Sequence, residues 1–274
     1  PVLKRSKIYK RLTYSFSSAF FSLINDALID IIKNECKIYC IAGIEIDPPD
    51  VQAIEDGLID EEGFIEKKIL EEFGKIEELI KTLSRRYGIE IMDHRLKVLS
   101  YLVSKGIFNI KIGFVRIDKK IVNPGKYKFH PKVMIFIDGH GNIIATNGSP
   151  NESYSALAFN QETIDVYTSW NNETPDPHLE THVRRFEQFW NNKSENIRAI
   201  DINKLLENKI LLKYRSYNKK EDIIEAEKQL NELLDREEES FGLWSHQGKA
   251  KKIFLKEKKG ILEMATGTGK TRVA

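Results

Sequence analysis

Cysteine is scarce in this sequence, which contains only Cys36 and Cys40 among its 274 residues. Both stand in a run of strand-like composition, with no further cysteine for a disulfide framework or a four-cysteine zinc module. They could still pair with each other or share a metal ion. We interpret them as reduced, structural thiols, and this favours a cytoplasmic protein because disulfides persist in oxidising compartments.

Long apolar segments are missing as well. No uninterrupted apolar run approaches the roughly 20 residues that a helix needs to cross a bilayer. The basic N-terminal stretch 1–7 is followed by a segment interrupted by Ser, Asn and Asp, which does not indicate a secretory signal. Hydrophobic residues make up 41% of the chain and charged residues 31%, as in globular proteins, so we expect a soluble protein without a membrane partner.

An excess of one charge is also absent. Lys and Arg number 43 against 41 Asp and Glu, so the net charge does not indicate a nucleic-acid-binding protein and any basic surface must be local. One candidate is the stretch 4–14, in which Tyr9 and Tyr14 are interspersed with Lys and Arg. This stretch is interpreted either as a solvated tail or as a DNA-binding arm.

The spacing of apolar residues predicts alternating helices and strands. Helices are predicted where apolar residues recur at helical spacing, at 15–32, at 69–87 with Gly88 as a stop, from the N-cap Asp93 to Gly106, at 179–190 and, highly charged, at 219–240. Strands are predicted at 36–46, 110–116, 133–137, 142–146 and 162–170, with a hairpin turn at 138–141. This order predicts an α/β layered domain.

Two histidines lie one turn apart on the helix predicted at 179–190 and just before it. His178 and His182 have a spacing that can bind zinc. The glutamate that a metalloprotease helix requires directly after its first histidine is missing, because Leu179 stands there and Glu180 comes one residue later. We interpret both as surface or capping histidines.

The residues with the most specific chemistry lie between 129 and 166. His130 and Lys132 form a His-x-Lys pair that leads into a predicted strand. Gly148-Ser149-Pro150-Asn151 follows the hairpin, and Asn160-Gln161-Glu162 leads into the next strand. This series resembles the phospholipase D superfamily, specifically its nuclease-like members, and by element order the resemblance extends over roughly residues 15–195.

The resemblance implies a phosphodiesterase that needs no metal and no cofactor. His130 would attack phosphorus and form a phosphohistidine, while Lys132 neutralises a phosphoryl oxygen. Asn151 would donate a hydrogen bond, Ser149 would assist through its hydroxyl or backbone, and Glu162 would orient a histidine and set its tautomer. The alternative to a catalytic site is that His130 is a histidine at the edge of a strand and that Gly148-Ser149 is an ordinary turn.

The sequence departs from the superfamily pattern in two respects. The superfamily's acidic residue usually stands five residues after the lysine, where this chain has Ile137, and Asp138 stands six residues after Lys132. The superfamily's site also joins two motifs, one histidine attacking and the other protonating the leaving oxygen. This chain has one motif, since His94 lacks the lysine and is expected at a helix start. The resemblance therefore implies a homodimer whose His130 and Lys132 pairs meet across a two-fold axis.

A second motif stands at 261–271, where an apolar strand is predicted to lead into a glycine-rich loop. Met-Ala-Thr-Gly-Thr-Gly-Lys-Thr resembles the first motif of superfamily 2 helicases and restriction-translocase motors, although Met264 replaces the usual Gly or Ala. The resemblance implies ATP and magnesium as ligands of the full-length motor, with Thr271 on the magnesium ion and Gln247 on the adenine. The residues assigned to the nucleotide are Gln247, Gly267, Thr268, Gly269, Lys270 and Thr271. Without the later motor motifs, we expect no ATPase activity from these residues alone.

These features predict three segments. A phospholipase-D-like layered α/β sheet flanked by helices is expected at 1–200, a linker with a charged helix at 201–240, and the truncated start of a RecA-like superfamily 2 helicase domain at 241–274. The presence of both motifs on one chain favours nucleic acid as the substrate of the phospholipase-D-like domain. Lipid hydrolysis is a third hypothesis. The leading hypothesis is a nuclease acting on DNA, with RNA as the other candidate, coupled to an ATP-dependent translocase in restriction or phage defence. The alternative is an inactive dimerisation or DNA-docking module of a helicase.

Overall fold

The computed structural model describes residues 2–14, 27–44, 60–87, 89–117, 120–121, 129–148, 164–170 and 176–240. The chain divides into two compact units, Pro1–Lys220 and Glu221–Ala274. The described helices of seven or more residues are α1 (Ala27–Lys33), α2 (Glu61–Tyr87), α3 (Ile89–Ser104), α4 (Pro177–Trp190) and α5 (Lys220–Ser240). The strands are β1 (Ser6–Thr13), β2 (Lys37–Gly43), β3 (Phe108–Ile117), β4 (Lys120–Ile121), β5 (Val133–Asp138), β6 (Ile143–Gly148), β7 (Ile164–Thr168) and β8 (Ile197–Asp201).

These described strands form one mixed sheet in the order β4-β3-β2-β1-β5-β6-β7, and β8 pairs with β3. Strands β1, β2 and β3 are parallel, as expected where helices connect successive strands. From β1 the sheet continues antiparallel through β5, β6 and β7. The predicted α/β class is therefore confirmed. The sheet has a parallel centre, β1 to β3, with antiparallel neighbours on both sides, since β3 pairs antiparallel with β4 and β8.

The central strands are buried on both faces. One face contributes Leu12, Ile41, Val133 and Ile135 to a core cluster that includes Leu179 and Phe186 of α4. The alternate residues of the central strands, including Ile38 and Cys40, are also almost fully buried and point to the other face. Burial on both faces explains why the sequence of β2 is a nearly continuous apolar run instead of an alternating one.

The basic stretch 4–14 is not a solvated tail. Residues 6–13 form β1, a central strand of the sheet, and Tyr9 and Arg11 are 6% and 5% exposed. Lys10 forms an ion pair with Glu187 of α4, with 2.5 Å between Nζ and Oε1. Only the cations near its start, Lys4, Arg5 and Lys7, are exposed. The interpretation as a solvated tail is wrong because the alternate residues of β1 have partners on the two faces of the sheet. Binding of DNA by the exposed cations at the start of the stretch stays a prediction.

The predicted helix start at Asp93 is also wrong. Helix α3 begins at Ile89, so Asp93 lies inside it and forms an i,i+4 ion pair with Lys97, with 2.5 Å between the charged atoms. An Asp four residues before a Lys stabilises a helix interior through this ion pair, so Asp93 does not need to mark the start of the helix. Helix α2 begins at Glu61, earlier than predicted, while Gly88 and most of the helix predicted at 15–32 lie outside the described residues.

The hairpin of β5 and β6, helix α4 and the charged helix α5 agree with the sequence predictions. Strand β7 ends at Thr168, two residues before the predicted end, while residues 162 and 163 lie outside the described residues. In the part of the chain that the structure describes, no helix has both the length and the apolar composition needed to cross a membrane.

Both cysteines are free thiols in the core, as the sequence predicted. Cys36 is 0% exposed and Cys40 is 2% exposed. Burial raises the pKa of the Cys36 thiol to about 11, because a thiolate is poorly solvated there.

We predict that neither thiol reacts rapidly with Ellman's reagent in the native protein at about pH 8, since the thiolate is the reactive form and both sulfurs are buried. In guanidinium chloride the same protein should release two equivalents of thionitrobenzoate per chain, one for each cysteine. Release of one equivalent within minutes under native conditions would contradict the burial of Cys36 and Cys40.

Candidate active site

His130 lies just before β5, at the edge of the sheet where the parallel strands end. Strand β5 runs antiparallel to β1, and Val133 at its start pairs with Leu12 near the end of β1. Strand β2 ends beside them at Gly43. In open α/β sheets, ligands bind outside the carboxyl ends of the parallel strands, so His130 and Lys132 lie where such a site is expected.

Phe129 anchors this segment in the core. Its side chain is 7% exposed and belongs to the core cluster of the α4 face. Its ring meets Phe189 of α4 edge-on, with 6.1 Å between the centroids. On β3, a Cβ at Gly113 would lie 3.1 Å from the Phe129 ring, so the absence of a side chain there makes room for it. The buried ring fixes the backbone from which His130 projects.

A second close approach brings Tyr14 to His130. A Cβ on Gly43 would overlap the carbonyl oxygen of Tyr14 and lie 2.9 Å from the carbonyl oxygen of Phe129, so only glycine lets these backbones approach β2 so closely. The ring of Tyr14 lies 4.6 Å from that of His130 and is tilted by 57°. Tyr14 therefore restricts the orientation of His130, a role that the sequence motifs did not predict.

The structure brings the described ends of the sequence motifs together. His130 is exposed and Lys132 is half-buried. The backbone N–H of Gly148 donates to the carbonyl of Lys132 at 3.4 Å, and Gly148 pairs with Ile164 of β7. Ser149 directly follows Gly148 in sequence, and Glu162 precedes Ile164 by two residues. Ser149, Asn151 and Glu162 themselves lie outside the described residues.

Asp138 lies at the opposite end of β5 and has a structural role. Its Oδ1 accepts hydrogen bonds from the backbone N–H groups of His140 at 2.8 Å and Asn142 at 2.9 Å. Its Oδ2 accepts from the side-chain amide of Asn142 at 2.8 Å. The Asn142 side chain is the main cause that lowers the pKa of Asp138, and the backbone donors add to it. The carboxylate therefore closes the β5–β6 turn and does not reach the His130 end.

His94 is a core histidine. It lies inside α3 instead of at a helix start, is 6% exposed, and its Nδ1 is 2.7 Å from the hydroxyl of Tyr217. The two rings meet edge-on with centroids 5.6 Å apart. This packing gives His94 a structural explanation.

His178 and His182 pack against Tyr167 of β7, with ring centroids 5.4 and 5.5 Å away. Asp176, and not a histidine, caps α4 by accepting a hydrogen bond from the backbone N–H of His178. His178 is exposed, as the surface interpretation predicted, and His182 is half-buried. Burial, and after it the charges of Arg185 and His178, lower the pKa of His182. Within the described ranges, no three His, Cys, Asp or Glu residues are grouped so that they could hold a metal ion.

The nucleotide-binding residues predicted from the second motif, Gln247, Gly267, Thr268, Gly269, Lys270 and Thr271, lie outside the described residues. No model of a known protein family matches the sequence, and no curated protein matches it either.

We predict that Gly43→Ala lowers the free energy of unfolding by roughly 1–3 kcal/mol, because the added methyl group must push the Tyr14 and Phe129 backbones away from β2. The matched control is Gly74→Ala in α2, where a Cβ meets nothing within 4 Å. That substitution should stabilise the protein by up to about 1 kcal/mol through its helix propensity. Urea unfolding midpoints check both values, and equal effects of the two substitutions would contradict the close approach at Gly43.

Proposed function

We propose that the first unit is a metal-independent nuclease in which His130 is the nucleophile. The observation that carries the proposal is the convergence at the His130 end of β5. Here the exposed His130, the half-buried Lys132 and the Gly148–Ile164 pair lie at the carboxyl edge of the parallel strands. The remaining motif residues, Ser149, Asn151 and Glu162, continue in sequence from the two members of that pair.

In the proposed reaction, a ring nitrogen of His130 attacks phosphorus, and the bond from phosphorus to the leaving oxygen breaks. The cation of Lys132 neutralises charge on a non-bridging oxygen as it redistributes. The leaving oxygen takes a proton from a general acid, and water then hydrolyses the phosphohistidine. Tyr14 limits the rotation of the His130 ring, which reduces the entropy lost when the ring is aligned for attack.

The general acid comes from a second copy of the chain in this proposal. Of the other histidines whose positions the structure describes, His94 is buried against Tyr217, and His178 and His182 pack on Tyr167. His140 lies in the β5–β6 turn, at the opposite end of β5 from His130. A two-fold axis through the His130 edge would give each site an attacking and a protonating histidine.

DNA is the proposed substrate because the motif at 261–271 resembles a nucleic-acid motor, and coupling to an ATP-driven translocase is part of the same proposal. Restriction or phage defence in the cytoplasm is its proposed setting. The second candidate, an inactive dimerisation or docking module, is favoured by one observation. Asp138 is engaged in the turn and contributes nothing to the His130 end.

We predict that the protein cleaves plasmid DNA in the presence of EDTA and that His130→Ala lowers the rate by at least about 1000-fold, as removal of a nucleophile does. His140→Ala is the matched control because His140 is also exposed but lies at the other end of β5. It should cleave at the wild-type rate. His94→Ala is a poorer control because His94 is buried.

Two results would decide against this nuclease. Cleavage that EDTA abolishes would indicate a metal-dependent activity, and equal activity of His130→Ala and the wild type would remove the nucleophile. DNA binding without any cleavage by the wild type would favour the docking module.

We predict a dimer in sedimentation velocity at micromolar concentration. A mixture of His130→Ala and wild-type chains should lose activity faster than in proportion to the mutant fraction, since a mixed dimer lacks one of its two histidines. A monomer with full cleavage activity would contradict the shared site.

A further inference from the structure

A cavity of about 740 Å³ lies at the turn end of β5, away from His130. Its lining includes Arg5 before β1, Phe136 and Asp138 on β5, Ile144 on β6 and Trp170 after β7. This volume is within the range of pockets that hold small molecules. The nuclease proposal makes no use of this cavity.

The walls of the cavity are aromatic and apolar. Phe136 stacks on Tyr9, with 4.9 Å between centroids and 16° between the ring planes, so its ring is supported from behind. Trp170 is 52% exposed, an unusual state for so large an aromatic side chain. Ile144 adds an aliphatic surface beside them. Such planar surfaces favour a flat ligand, because stacking on tryptophan and phenylalanine needs no specific hydrogen bonds.

The rim of the cavity carries positive charge. Arg5 is exposed and forms no ion pair with any other residue in the described ranges. Lys4 is 3.4 Å from Asp30, but its side chain is 66% exposed, so this pair is weak and leaves the charge accessible. The carboxylate of Asp138 also lines the cavity, and three hydrogen bonds from the turn already engage its oxygens. Cations beside aromatic walls suit an anion attached to a planar ring.

We propose that this cavity binds a nucleotide of single-stranded DNA, with the base against Trp170 and Phe136 and a phosphate on Arg5 and Lys4. The inference rests on the proposed action on DNA, to which it adds a second contact. The rise of about 3.3 Å per residue places the two ends of β5 about 17 Å apart, so a strand held here reaches His130 within a few nucleotides.

The test is the affinity for a fluorescein-labelled oligodeoxythymidine, measured by anisotropy at low salt in the His130→Ala background. Trp170→Ala should weaken binding by about fivefold or more, because it removes the stacking of one base. Leu212→Ala is the matched control, since Leu212 is also apolar and 52% exposed. It should leave binding unchanged. Trp170→Phe should retain affinity within about twofold because it keeps an aromatic surface.

The phosphate contact is tested with Arg5→Gln against Arg184→Gln, which removes the same charge from an exposed position on α4. Arg5→Gln should reduce the slope of log affinity against log salt by about one, and Arg184→Gln should not. The proposal is overturned if Trp170→Ala binds as tightly as Leu212→Ala, if Trp170→Phe loses as much affinity as Trp170→Ala, or if the two arginine variants behave alike.

Binding is measured without cleavage, so the two proposals fail separately. A protein that never cleaves DNA but whose affinity depends on Trp170 and Arg5 retains the cavity and loses the nuclease. If the protein cleaves DNA but its affinity does not depend on Trp170 or Arg5, the His130 nuclease stands and nucleotide binding in the cavity is wrong.

Discussion

The close approach at Gly43 is the constraint on which the candidate site depends. The last residue of β2 contacts two backbone segments that are far apart in sequence, at Tyr14 and at Phe129. Any side chain at this position would separate them. Because Tyr14 contacts the ring of His130 and Phe129 precedes it directly, the geometry of the histidine is set by a position with no functional group of its own.

The site is also coupled to the hydrophobic core through Phe129 and to the sheet through β1. Phe129 is buried against α4 while the next residue is exposed, so the free energy of burying an aromatic ring holds a polar side chain at the surface. Strand β1 pairs in parallel with β2 and antiparallel with β5, which puts the end of β2 and the start of β5 at one edge. A sheet that was parallel throughout would have placed the start of β5 at the opposite edge.

The sequence predicted the elements whose signals are local. The hairpin at 138–141, the apolar stripe of α4 and the continuous apolar run of β2 all have their cause in neighbouring residues. The helix start predicted at Asp93 was wrong because an acidic residue can either cap a helix or pair with a lysine four residues later. Which of the two occurs depends on where the helix begins. The solvated tail predicted at 4–14 was wrong because the charged residues indicated exposure to solvent, while the strands that pair with this stretch are distant in sequence. Tyr14, Gly43 and Phe129 meet only through the pairing of β1, β2 and β5, which no local pattern specifies.

Asp138 and His130 lie at opposite ends of β5, so the turn that Asp138 closes is separate from the candidate site. Strand β5 is hydrogen-bonded to β1 on one side and to β6 on the other, and Asp138 fixes the turn that joins β5 to β6. The two ends of β5 therefore keep a constant separation, since neither end can move without breaking backbone hydrogen bonds to the neighbouring strands. At the turn, Asp138 stabilises the hairpin whose first strand follows directly after the His130 segment. The displaced aspartate is thus compatible with phosphate chemistry at the other end of β5, because its charge is distant from His130 and its hydrogen bonds hold the hairpin together.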